Sequence, residues 1–304
     1  MIIVVSPGQG SQTPGFLTPW LEIDGVREHL ELLSDASDVD LITHGTISDA
    51  DTIRSTDIAQ PLIVAASIVS GTVLLRDFIL DRIGFAGHSV GEFAAAHFAG
   101  ILSDTDALRL VGVRGRAMAA EAATIATGMS AVIGGDSAEL DEALATFGLV
   151  AANMNGGGQV VVAGPLDSLA RLAESPVAGS RVIPLQVAGA FHTSFMSGAV
   201  ATLRAAAASV STTNPHSIIY SNRDGRQVEN GDAYRDLLVG QVESPVRWDL
   251  CMESFNRDGV TGVVELAPGG ALAGLLKRGI KGLRTVAIKT PDDLAPAHEL
   301  LEAS

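Results

Sequence analysis

Three shortages set the first limits on this chain. It carries one cysteine, Cys251, in 304 residues. A lone thiol cannot close an internal disulfide, and without a Cys-x-x-Cys partner it offers no zinc framework. Cys251 reads instead as a small buried apolar side chain in a helix. Cations are also scarce: 20 Lys and Arg stand against 35 Asp and Glu, a formal charge of −15. Coulomb repulsion therefore opposes nucleic acid and anionic membranes as general partners, and an acidic partner needs a local basic patch. No stretch reaches the roughly 18 uninterrupted apolar residues of a membrane-spanning helix. The opening MIIVVSPGQGSQ is a short apolar run ended by Pro and Gly. It reads as a buried first strand, in a cytoplasmic protein without a signal peptide. No Pro/Ser-rich linker, low-complexity block or fixed repeat divides the chain.

Apolar residues make up 47 % of the chain, enough to bury a large core in one big domain or two unequal lobes. Apolar runs at 2–5, 83–87, 129–133, 160–163, 181–187, 217–220 and 260–266 predict strands. Most are followed by helix-length segments, so an α/β fold with a mainly parallel, α/β-hydrolase-like core is expected. From 128 to 187 the order changes to strand, helix, strand, strand, helix, strand. That is the β-α-β-β-α-β order of a ferredoxin-like unit. The expected division is a large catalytic subdomain, 1–125 and 189–304, with a small ferredoxin-like subdomain inserted at 126–188.

Gly87-His88-Ser89-Val90-Gly91 lies between the strand-like IGFA and the helix-like EFAAAHFAG. Gly-x-Ser-x-Gly in that setting is a nucleophile elbow, a strained turn that projects the serine hydroxyl. The helix that starts there, with the amide of Val90, favours negative charge on a carbonyl oxygen attached to Ser89. A serine needs a general base within hydrogen-bond reach. Among seven histidines, His88 and His97 are too near Ser89 in sequence to turn back on it, and His29, His44, His216 and His298 read as peripheral. His192 follows a strand and the small-residue turn Val187-Ala188-Gly189-Ala190 and opens a helix at Thr193. Strand ends collect catalytic side chains in α/β proteins, so His192 is the candidate base, with a structural histidine as the alternative. Pro7-Gly8-Gln9-Gly10-Ser11-Gln12 is a Gly-rich turn that lets backbone approach a ligand. It lacks the ending of a phosphate-binding loop and the third glycine of a dinucleotide site, and an ordinary turn is the alternative. Lys277, Arg278, Lys281, Arg284 and Lys289 form an acid-free basic run, either a patch for an acidic partner or a solvated surface.

Together, PGQGSQ at 7–12, AQP at 59–61, GHSVGE at 87–92, RG at 114–115, NMNGGGQVVVAG at 153–164, GAFH at 189–192, SPVRW at 244–248 and PGG at 268–270 resemble the malonyl-CoA:acyl carrier protein transacylases of type II fatty acid synthesis. The likeness spans essentially the whole chain and is strongest to actinobacterial members. It implies a malonyl group carried on Ser89, with His192 as base and the Gln241 backbone carbonyl holding the imidazole. It implies an oxyanion site at Gln9 and Val90 and a malonyl carboxylate on Arg114. A guanidinium binds a carboxylate through two parallel charge-assisted bonds, which lysine cannot match. Residue type alone does not choose Arg114 over Arg109 and Arg116. Phe191 matches an aromatic residue that accompanies malonyl over methylmalonyl selection, and Gln60 and Asn155 match polar pocket residues. The implied partners are malonyl-CoA and an acyl carrier protein docking near Lys277, Arg278, Lys281 and Arg284. The implied enzyme is a monomer without metal or cofactor. Val90 and Phe93 depart from the Leu and Tyr common in bacterial relatives. Alternatives are malonyl transfer for polyketide synthesis or malonate decarboxylase, a serine hydrolase with an acid between Ser and His, and a non-catalytic subunit that binds carrier protein.

Overall fold

Four apolar runs assemble into one parallel sheet. The computed structural model describes residues 1–303; Ser304, the end of the expected second catalytic stretch, lies outside the described residues. The chain begins with β1 (Ile2–Ser6), α1 (Val26–Ser37), α2 (Leu41–Thr46), α3 (Thr56–Leu75), β2 (Ile83–Gly87), α4 (Glu92–Phe98) and α5 (Asp104–Ala122). A middle stretch follows: β3 (Thr127–Gly134), α6 (Ser137–Phe147), β4 (Val150–Gly156), β5 (Gln159–Pro165), α7 (Leu166–Glu174) and β6 (Ser180–Pro184). The rest is α8 (Ser197–Ala207), α9 (Gly231–Gly240), β7 (Val246–Arg247), α10 (Trp248–Arg257), β8 (Gly262–Glu265), α11 (Ala271–Gly279), β9 (Arg284–Ala287) and α12 (Leu294–Glu302).

The first sheet has the order β2-β1-β8-β9, with every neighbouring pair parallel. Parallel strands are covered on both faces, which is why β1 and β2 read as continuous apolar runs and are buried at every position. One covering element is α3, which is long and apolar enough to cross a membrane by length and composition. In this fold 83 % of its most apolar stretch is buried inside the protein. Its polar interruptions are used: Ser67 Oγ donates to the Ala267 carbonyl at 2.9 Å and Ser70 Oγ accepts from the Ala267 amide at 3.1 Å. They fasten the helix to the chain just beyond β8.

The second sheet has the order β6-β3-β5-β4-β7. β3 runs antiparallel to β5 and β6, β4 antiparallel to β5, and β7 parallel to β4. The period of two along β3 sorts its side chains. Val132 joins Leu140, Leu144, Leu169 and Leu172 under α6 and α7, whereas Met129 and Ala131 face the main core. β7 comes from far along the chain and adds a fifth strand that the 128–187 pattern does not contain.

Three segments differ from the sequence expectation. The run at 181–187 is a strand only to Pro184; Leu185 and Val187 are apolar because they line a cavity. The run at 217–220 touches β2 through a single bridge, Phe85 to Ile219, before the chain turns back with a Ser221 to Gly225 hydrogen bond of 2.9 Å. The basic run spreads over the end of α11 (Lys277, Arg278), the turn after it (Lys281), the edge strand β9 (Arg284) and the segment beyond (Lys289), all five cations being exposed.

Glu265 links the first sheet to α11. It is fully buried, and its carboxylate accepts from the amides of Gly270 (2.8 Å), Leu272 (3.0 Å) and Ala273 (2.8 Å). These amides at the helix start have no intrahelical partner, and a carboxylate suits the positive end of the dipole. Burial nevertheless pushes the carboxyl above its ordinary range, against the pull of those amides. Glu265→Ala should lower the unfolding free energy by roughly 3 kcal/mol, through buried donors left without acceptors. Glu265→Gln, which keeps one acceptor oxygen, should cost less. Urea denaturation of the three proteins measures the difference, and a loss below about 0.5 kcal/mol for Glu265→Ala would deny the cap its role.

Candidate active site

β2 ends at Gly87 and the chain reverses through Ser89, which has a φ of 53°. A left-handed backbone is unfavourable for serine, so its surroundings must impose it. The flanking glycines leave the room for it. A Cβ on Gly87 would lie 2.1 Å from the Gly91 carbonyl carbon, and one on Gly91 would lie 2.2 Å from the Ser6 oxygen. Asn222 then pins the turn: its Oδ1 accepts from the Ser89 amide at 2.8 Å and its Nδ2 donates to the Gly87 oxygen at 2.7 Å. A 3-10 turn, Ser89–Gly91, leads from the serine into α4.

His192 also has a left-handed backbone, with φ 62°, and its amide donates to the Val242 carbonyl at 3.2 Å. It lies eight residues beyond the end of β6, and Thr193 caps a 3-10 turn, Ser194–Met196, rather than α8 itself. Its Nε2 is 2.8 Å from Ser89 Oγ and its Nδ1 is 2.9 Å from the Gln241 backbone oxygen. A carbonyl only accepts, so Nδ1 carries the hydrogen and Nε2 presents its lone pair to the serine hydroxyl. That is the arrangement that turns a serine into a nucleophile. Burial and the neighbouring Arg114 charge together push the imidazole down to about 3, leaving it neutral and able to accept a proton.

Of the three arginines on α5, Arg109 pairs with Asp106 and Arg116 with Ser37 and Asp38 near the surface. Arg114 is 1 % exposed and turns inward. Its Nη1 donates to Gln60 Oε1 at 2.6 Å and its Nη2 to Gln241 Oε1 at 2.9 Å, and Nη2 also lies 3.4 Å from Ser89 Oγ. Its buried Nε–H lacks an acceptor among the described residues. Burial draws the guanidinium down to about 10, so it keeps its charge at neutral pH.

These groups open onto a cavity of about 450 Å³ between the two sheets. Ser89, His192 and Arg114 line one side with Gln9; Met129 and Val161 of the second sheet line another. Phe191 is buried in the wall, and Arg278 of the basic run stands at the rim. Asn155 lines the same cavity and its Oδ1 accepts from His88 Nε2–H at 2.9 Å, so His88 is engaged away from Ser89. His97 faces the Leu102 carbonyl instead. Lys277, Lys281, Arg284 and Lys289 lie outside this lining.

Two residues of the site had no assigned role in the sequence. Asn222 had only the signal of following the apolar run at 217–220. Glu92 stands inside GHSVGE, where its position at the helix start reads as ordinary dipole compensation. It is buried, with Oε1 accepting from the Asn222 amide at 2.7 Å and from Tyr234 Oη at 3.4 Å, and Oε2 accepting from Gln241 Nε2. Burial raises its carboxyl to about 7 despite those donors.

Residues 4–296 match the acyl transferase domain family. The malonyl CoA-acyl carrier protein transacylase of Mycobacterium tuberculosis is 46 % identical over 296 residues, covering 97 % of this chain and 98 % of that one. The crystal structure of MCAT from Mycobacterium tuberculosis superposes with a TM-score of 0.95 at 45 % identity, covering 98 % of this chain and 99 % of that one. A type II polyketide synthase acyl-carrier protein in complex with its malonyl-transacylase offers another likeness, with a TM-score of 0.92 at 28 % identity over 98 % and 99 % of the two chains.

The depressed basicity of His192 has a direct spectroscopic consequence. Burial and a positive neighbour both disfavour the imidazolium, so both shifts point downward and the ring should stay neutral well below its ordinary 6.5. Its ring NMR signals, assigned through His192→Gln, should hold the neutral position from pH 8 to about pH 5. A midpoint for His192 near 6.5 would refute this account of its environment.

Proposed function

The chain belongs to the acyl transferase domain family, and on that footing we propose that it moves a malonyl group from malonyl-CoA to the pantetheine thiol of an acyl carrier protein for fatty acid biosynthesis. The observation that carries the chemistry is the 2.8 Å contact between Ser89 Oγ and His192 Nε2, with Nδ1 fixed by the Gln241 carbonyl. His192 takes the hydroxyl proton as Ser89 attacks the thioester carbon, and the amides of Gln9 and Val90 hold the oxyanion. The intermediate collapses with loss of coenzyme A, whose sulfur receives that proton from His192. A malonyl-serine ester remains. The pantetheine thiol then gives its proton to His192 and attacks the ester; Ser89 leaves and recovers the proton, and the malonyl thioester is released.

Arg114 is the proposed seat of the malonyl carboxylate. Its charge, its Nε–H without an acceptor and its 3.4 Å distance from Ser89 Oγ support that role. Gln60 and Gln241 hold the guanidinium in place, Asn155 orders the wall through His88, and Phe191 crowds a substituent on the acyl α-carbon. The serine-hydrolase alternative needs a carboxylate behind the histidine, whereas His192 Nδ1 faces a backbone carbonyl.

The lobe division belongs to the same reading. The strand order β6-β3-β5-β4 with two covering helices supports a ferredoxin-like subdomain at 126–188, set in an α/β-hydrolase-like catalytic subdomain of 1–125 and 189–304. A monomer and a cytoplasmic location belong to the same reading, and a single buried thiol suits the latter. For the carrier protein, Arg278 at the cavity rim with Lys277, Lys281 and Arg284 exposed nearby supports docking there.

Incubation with labelled malonyl-CoA and peptide mass mapping should place the acyl group on Ser89, and Ser89→Ala should abolish it with the fold intact; an adduct elsewhere defeats the assignment. Arg114→Ala should weaken use of malonyl-CoA by about 2–5 kcal/mol in transition-state terms and favour acetyl-CoA by comparison. An unchanged malonyl-over-acetyl preference moves the carboxylate site elsewhere.

Charge reversal of Lys277 and Arg278 to Glu should raise KM for the carrier protein while sparing acylation by malonyl-CoA. That effect should shrink toward 1 M salt, where the Debye length is about 3 Å. Equal loss in both half-reactions would place these cations outside a docking role.

A further inference from the structure

Glu92 has no part in the reaction just described, yet it is the buried carboxylate that reaches Arg114 through a single intermediary. The intermediary is the Gln241 side chain, whose amide has three partners of fixed character. Oε1 accepts from Arg114 Nη2 at 2.9 Å, and Nε2 donates to the Ser89 carbonyl at 3.0 Å and to Glu92 Oε2. A guanidinium only donates, the Ser89 carbonyl only accepts, and Glu92 Oε2 accepts from the same NH2, so just one orientation of the amide satisfies all three. Turned over, its NH2 would face Arg114 and its oxygen would face two acceptors. The same residue's backbone carbonyl holds His192.

We propose that Glu92 is a positioning residue for acyl-group selection: its carboxylate fixes the orientation of the Gln241 amide, and the amide holds the Arg114 guanidinium beside Ser89. The inference rests on Arg114 receiving the acyl carboxylate. Glu92 itself is fixed by the Asn222 amide at 2.7 Å and Tyr234 Oη at 3.4 Å. Asn222 also braces the serine turn, so one side of the carboxylate serves the nucleophile and the other serves the arginine. Exchanging one acceptor oxygen for an NH2 while keeping the shape separates the two duties. In Glu92→Gln the new NH2 faces either the Asn222 amide or Gln241 Nε2, donor against donor. The second conflict ends only when the Gln241 amide turns over, which sets its NH2 against Arg114 and takes the donor from the Ser89 carbonyl.

The test measures Ser89 acylation by malonyl-CoA and acetyl-CoA in the full chain. Glu92→Gln should lower the malonyl-over-acetyl preference by about tenfold, the size of one lost hydrogen bond to a charged group, mainly through KM for malonyl-CoA. Gln241→Met keeps the backbone carbonyl on His192 but removes the amide, and it should lower the preference similarly. The double variant should be no worse than Gln241→Met alone, because Glu92 then has no amide to orient. Equal losses for both substrates in Glu92→Gln, or losses that add in the double variant, overturn the proposal. If Glu92→Gln fails to fold, the double variant against Gln241→Met decides: a further loss of preference overturns the proposal and no further loss upholds it. Arg114→Ala keeps the two readings apart. A preference that survives it sinks the carboxylate site and this inference together, while one that collapses there but is untouched by Glu92→Gln sinks this inference alone.

Discussion

The site depends on a turn the backbone does not favour. Ser89 keeps a left-handed φ because Gly87 and Gly91 clear the space and Asn222 bonds to both sides of the bend. Without that brace the hydroxyl would lose its aim at His192, and the 3-10 turn would no longer start where the serine ends. The brace has its own support, because the Asn222 amide is held by Glu92, the first residue of α4. The turn and the helix that follows it are therefore tied twice, once by the chain and once through the segment beyond α8.

Charge is the second constraint. Arg114 and Glu92 are both buried, and neither touches the other; an amide side chain stands between them. A direct ion pair would satisfy the guanidinium and leave it less ready for an incoming carboxylate. With neutral oxygens from Gln60 and Gln241 as its partners, Arg114 keeps an unspent positive field. That same field lowers the basicity of His192, so a neutral imidazole and a charged guanidinium coexist a few ångströms from one serine.

How much of this was legible in the sequence depended on how local the signal was. β1, β2 and β3 announce themselves as apolar runs ended by Gly or Pro, and Gly87-His88-Ser89-Val90-Gly91 carries its own turn chemistry. The run at 181–187 misled at its end because residues lining a cavity are apolar for the same reason as residues in a sheet. β9 stayed hidden because its short apolar run is embedded in cations, the composition an edge strand tolerates. His192 could be ranked by position alone, but Gln241 could not, since its tie to His192 uses a backbone carbonyl that every residue has. Arg114 separated from Arg109 and Arg116 only through the resemblance in the sequence and then through burial in the fold. Asn222 and Glu92 act across more than a hundred residues, and no spacing rule encodes such a pairing.

The two-residue strand β7 is also a mechanical part. By pairing in parallel with β4 through Asn153 and Met154, it stitches the second sheet to the segment that continues from Gln241 into α10. One wall of the cavity and the carbonyl that steadies His192 thus hang on a common thread of backbone, with only Val242 to Pro245 between them. A displacement of that wall is therefore transmitted, within five residues of backbone, to the carbonyl on which the imidazole rests.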